Sequence, residues 1–179
     1  HDAFFIFEGE HFSYARTRAA AARYAAWFIG IRDAELAAGA LSRDEQLRVA
    51  VYQDNGPEMI FALFGAAIGG ATLFAINTGF VGATLVDVVG QARLHLLLTD
   101  SEHAPRVRAV ASELSLARSR ILCAGQPRHG LASLDAAVAD APAAPLERQR
   151  IDPSAPFMII YTSGTTGLPK GVICSQLKL

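Results

Sequence analysis

Between residues 47 and 123 the chain alternates short apolar runs with helical patterns, and this regular exchange constrains the fold more than any other feature. The runs at 47–52, 71–75, 94–99 and 120–123 read as strands, and the segments 57–68, 82–92 and 104–116 between them read as helices. Strands covered on both faces appear as continuous apolar runs, and an intervening helix returns the chain to the same end of the sheet. The pattern therefore predicts an α/β fold with a mostly parallel sheet, helices on both faces and right-handed crossovers. Punctuation supports the reading. Pro57 stands near the first position of one helix, behind Asn55, and Gly69-Gly70 ends it.

Ahead of this block, residues 4–7 and 11–14 flank Glu8-Gly9-Glu10 as a short hairpin. Ser13 is placed to cap a long alanine-rich helix reaching about Ala38, although Arg16 stands where a capping box would have Glu. Tyr24, Trp27, Phe28 and Ile31 recur at i, i+3, i+4, i+7, which is a packing stripe. Residues 59–76 are almost wholly apolar and long enough for a membrane span. A helix-to-strand break inside a bilayer would strand backbone groups without partners, and no basic flank orients a span. A buried helix followed by a central strand is expected instead.

Composition narrows the function classes. With 51% hydrophobic residues in 179, the chain can bury one sizeable core, and 16 basic against 17 acidic residues leave no electrostatic footprint for nucleic acid. Cys123 and Cys174 form no CxxC pair, and Cys123 with His129 lacks the further ligands of a zinc site, so no metal site and reduced thiols are expected. His11, His95, His103 and His129 are scattered, without a GxSxG elbow or an HExxH pair. His95 is expected as a core or edge residue, and Asp87 and Asp100 as solvated or capping carboxylates. The opening lacks the basic flank of a signal peptide and has no initiator methionine, so a cytoplasmic location and a start inside a longer protein are expected.

A proline-bearing connection, 139–156, leads to the apolar run 157–161, expected as a buried strand of the parallel sheet. Directly after it comes YTSGTTGLPKG, Tyr161 to Gly171. Glycines at 164 and 167 let the backbone approach an anion, and Thr162, Ser163, Thr165 and Thr166 each offer a hydroxyl donor. Lys170 adds a positive charge. A turn of this kind at a strand's carboxyl end suits a polyphosphate. It is not the common phosphate loop, because no Gly-Lys pair occurs in the chain.

The loop resembles the signature of the adenylate-forming (AMP-binding) superfamily, which includes acyl-CoA synthetases, luciferases and peptide-synthetase adenylation domains. FEGEHFSYA resembles the family's opening hairpin, VAVYQDNGPEMIFALFGAAIGGATLFAIN its first strand-helix-strand unit, and LLLTD a following strand. INTGFVGATLVDVV, with Asn77, Thr78 and Gly82, is similar to the long-chain and very-long-chain acyl-CoA ligase and fatty acid transport protein branch, where many other branches carry Asn-Pro. The resemblance implies that residues 1–179 are an incomplete N-terminal AMP-binding domain, with 151–179 forming a strand-turn-strand around the phosphate loop. It implies ATP, Mg2+ and coenzyme A as cofactor and co-substrates, and activation of a carboxylic acid, expected to be a fatty acid, through an acyl-adenylate to a thioester. Thr162, Ser163, Gly164, Thr165, Thr166, Gly167 and Lys170 would then bind the ATP phosphates. No catalytic residue is assignable, since the adenine, magnesium and C-terminal lysine contacts lie beyond Leu179 in family terms; the chain alone is expected to be inactive. Two alternatives share the scaffold: a membrane-associated fatty-acid uptake protein, which leaves room for peripheral membrane association, and an inactive nucleotide-binding homologue.

Overall fold

The computed structural model describes residues 2–126, 130–141, 152–162 and 169–178. The chain opens with an antiparallel hairpin, β1 (Ala3–Phe7) and β2 (Glu10–Ser13), turning through Glu8 and Gly9, both at positive φ. Ser13 then caps α1 (Tyr14–Ala37), its Oγ accepting the Arg16 amide at 3.2 Å. Such a cap satisfies one of the amides that a helix start leaves unpaired.

The next elements are β3 (Arg48–Tyr52), α2 (Pro57–Gly69), β4 (Thr72–Ala75), α3 (Ala83–Ala92), β5 (Leu96–Thr99), α4 (Ala104–Val110) and β6 (Ile121–Cys123). They are followed by β7 (Ala132–Ser133), α5 (Leu134–Ala139), β8 (Pro156–Thr162) and β9 (Lys170–Ser175). Seven strands form one sheet in the order β7-β6-β5-β3-β4-β8-β9. Every neighbouring pair is parallel except β8 and β9.

Strand alternation sorts side chains into two cores. Val49, Val51, Leu73, Leu96 and Leu98 join Tyr24, Trp27 and Phe28 of α1 and Ala62 and Ala66 of α2 on one face. Ala50, Tyr52, Phe74 and Leu97 join Leu85, Val88 and Val89 of α3 and Val107 of α4 on the other. Both faces of the central strands are thus dry, as continuous apolar runs require. The aromatic stripe of α1 packs as expected, with Tyr24, Trp27 and Phe28 buried and Ile31 against their cluster.

The apolar stretch 59–76 resolves into the 13-residue α2 and then β4. Gly70, at φ 68°, ends the helix in the left-handed conformation that glycine adopts without penalty. No helix among the described residues is long and apolar enough to cross a membrane. Three expectations change. Helix α4 stops at Val110, and the chain then turns so that Leu114 reaches the core. The short β7 was not legible as a strand. Strand β8 is parallel to β4 but only Phe157 in it is buried, because it lies beside the edge strand β9, away from the doubly covered centre.

Candidate active site at the carboxyl edge of the sheet

A parallel sheet collects the ends of its strands, and the turns that follow them, along one edge. Here the ends of β3, β4 and β8 enclose a cleft of about 370 Å³ whose wall includes Gln53, Asp54, Asn77, Thr78, Met158 and Tyr161. Tyr161 is half-buried, and desolvation raises its phenol pKa, so it stands in the wall as a neutral hydroxyl.

The next residue begins the hydroxyl- and glycine-rich motif. Thr162 faces Lys170 across the antiparallel pair, and its hydroxyl approaches the Lys170 carbonyl at 3.4 Å. These two residues therefore fix the base of the loop, and both are exposed. Ser163, Gly164, Thr165, Thr166 and Gly167 lie outside the described residues. Gly171 follows Lys170 at a crowded point, where an added Cβ would meet Ile159 Cγ2 at 2.8 Å. A bulkier residue there would push β9 away from β8 and shift the Lys170 end of the turn.

Around the cleft, polar groups tie the strand-end turns together. The Tyr52 hydroxyl is shared between the carbonyls of Phe80, at 2.7 Å, and Thr78, at 3.0 Å. Arg106 also donates to the Thr78 carbonyl, at 2.8 Å, and the Thr78 hydroxyl donates to Asp54 at 2.9 Å. Thr99, fully buried, donates to the Tyr52 carbonyl at 2.9 Å. Position 78, notable in the sequence as a threonine, thus orients a carboxylate at the cleft. Proline would have no hydroxyl to give.

The whole chain, residues 1–179, matches the AMP-binding enzyme family. The chain belongs to that family. Among curated relatives it is 35% identical over 142 residues to steroid-22-oyl-CoA synthetase of Rhodococcus jostii (strain RHA1), covering 79% of this chain and 24% of that protein. It is 30% identical over 177 residues to crotonobetaine/carnitine–CoA ligase of Salmonella arizonae, covering 96% of this chain and 32% of that enzyme. The chain therefore spans between a quarter and a third of the length of these relatives.

Solved structures show the same fold at lower identity. An anthranilate CoA ligase, AuaEII, in complex with anthranoyl-AMP superposes with a TM-score of 0.80 at 18% identity, over 98% of this chain and 32% of that one. A benzoate CoA ligase from Burkholderia xenovorans LB400 gives 0.74 at 14% identity, over 98% and 32%. For an AMP-binding enzyme, the position of the Thr162–Lys170 base at the carboxyl edge of the sheet follows from the order of elements. The linkage of Tyr52, Asp54, Thr78 and Arg106 does not, because its members are separated in sequence and meet only when β3 lies between β5 and β4.

Proposed function

We propose that the protein containing this chain activates a carboxylic acid with ATP and passes the acyl group to the thiol of coenzyme A. The observation that carries this reading is the hydroxyl- and glycine-rich loop, set on the β8–β9 pair at the carboxyl edge of the sheet, in a member of the AMP-binding family. The substrate carboxylate attacks the α-phosphorus of ATP, and pyrophosphate leaves with the bonding electrons. The thiol then attacks the acyl carbon and AMP leaves, giving the thioester.

Charge is the obstacle in the first step, since an anion must approach an anion. Donors placed where negative charge gathers on the departing pyrophosphate lower that barrier. Thr162, Ser163, Thr165 and Thr166, with the amides around Gly164 and Gly167, supply such donors in this proposal, and Lys170 supplies a charge. Magnesium would neutralise phosphate charge when bound with ATP. Among the described residues, the one cluster able to hold a cation contains an imidazole, unlike the all-oxygen set that magnesium takes, and so does not fit that ion.

The finer substrate proposal is a fatty acid, from the likeness of the segment around Asn77 and Thr78. Cytoplasmic location, with peripheral membrane association for a lipid substrate, belongs to the same proposal. The test is ATP–pyrophosphate exchange by the full-length protein with a panel including a long-chain fatty acid, a steroid side-chain carboxylic acid, crotonobetaine and an aryl carboxylic acid. Exchange that depends on one of these acids is expected, strongest with the fatty acid. Absence of acid-dependent exchange across the panel would overturn the activity, and a preference for a different acid would overturn the finer proposal alone.

A further inference from the structure

The connections after β3 and after β5 leave the sheet in opposite directions, toward β4 on one side and β6 on the other. Such a divergence marks the carboxyl ends of two adjacent strands as the place where open α/β sheets take ligands. Asp54 follows β3 at this point, and Asp100, Glu102 and His103 follow β5.

His103 is the informative member. Its side chain is only 3% exposed, a costly placement for an imbalanced polar ring. The Asp100 carboxylate lies 2.8 and 3.0 Å from Nδ1 and also accepts the His103 amide at 2.7 Å. That arrangement suits a proton on Nδ1 and turns Nε2 the other way. Nε2 faces Asp54 Oδ1 at 3.8 Å, beyond hydrogen-bond length. The Nε2 edge of a buried ring therefore faces a carboxylate without bonding to it.

One donor atom each from Asp54, Glu102 and His103 fall within 4.8 Å of one another. Ligands sharing a tetrahedral zinc ion stand about 3.3 Å apart, so small rotations of the exposed Asp54 and Glu102 side chains would close the set. Two of the donors are already held by neighbours, His103 by the Asp100 carboxylate at Nδ1 and Asp54 by the Thr78 hydroxyl at Oδ1. Ligand histidines and carboxylates are characteristically braced in this way. Without a cation, three carboxylates surround one imidazole, and Arg106 is engaged with the Thr78 carbonyl.

We propose that Asp54, Glu102 and His103 form a binding site for a divalent cation of the zinc type, clasping the turns after β3 and β5. Imidazole with two carboxylates suits zinc or cobalt better than magnesium or calcium.

Zinc alone, without nucleotide, is titrated calorimetrically into the metal-stripped full-length protein, so failure here leaves the ligase reading standing. One equivalent is expected to bind. Asp54→Asn and Glu102→Gln, both at exposed positions, should each weaken zinc binding at least tenfold with the circular dichroism spectrum unchanged. Thr78→Val, which removes the brace on Asp54, should weaken it by about tenfold. Cobalt(II) should give visible absorption bands that zinc abolishes. Absence of stoichiometric zinc binding, or unchanged affinity in either carboxylate variant, would overturn the proposal.

Discussion

The proton on His95 is decided by a single backbone contact. Its Nδ1 accepts the Arg48 amide at 2.9 Å, which requires a lone pair on that nitrogen. Burial first, and the Arg48 charge second, lower its pKa from the ordinary 6.5. The unfolded chain therefore takes up this proton at a higher pH than the native one. The contribution of His95 to stability is complete above pH 6.5 and is lost as pH falls through the lower native value. Urea unfolding at neutral and acidic pH should show a smaller acid-induced loss in His95→Gln than in the natural protein, and equal losses would contradict the assignment. Tyr52→Phe removes the proton shared by the Thr78 and Phe80 carbonyls and should cost about 1–2 kcal/mol in the same measurement. From sequence His95 was legible as a core or edge residue, whereas His103 was one of several scattered histidines. The difference is physical: apolar neighbours signal burial, but nothing local signals a partner supplied by another strand.

At the scale of elements, helix α2 was the most legible, since Pro57 opens it and glycines close it. Its glycines also do something the pattern did not reveal. A Cβ on Gly65 would lie 2.4 Å from Tyr24 Cβ, and one on Gly69 would lie 3.2 Å from the Ala25 carbonyl. The two helices therefore approach at backbone distance, which a methyl group would prevent. Gly65→Ala should destabilise the protein by about 1–3 kcal/mol despite alanine's better helix propensity, read from the denaturant midpoint. A stabilised variant would show that the pair can separate at no cost. The end of α4 and the brevity of β7 were not legible, because both are set by what the neighbouring core accepts.

Over the whole molecule, alternation of strands and helices was enough to foresee a parallel sheet with two covered faces. It was not enough for the strand order, in which β3 lies between β4 and β5 and thereby brings Asp54 beside His103. Nor did it foresee how little of β8 would be covered. The apolar run promised burial, yet Ile160 is 38% exposed, as are Val172 at 49% and Ile173 at 54% on β9. The motif at 161–171 stands out in the sequence because its residues are contiguous, so chemistry and order are visible together. The pairing of Thr162 with Lys170 at the sheet's carboxyl edge supports the proposed role. The most direct measurement is acid-dependent ATP–pyrophosphate exchange by full-length protein carrying Thr165→Ala and Thr166→Ala together. Loss of donors to the departing pyrophosphate should lower the exchange rate by about a hundredfold or more with folding retained, whereas an unchanged rate would contradict a phosphate-holding role for the loop.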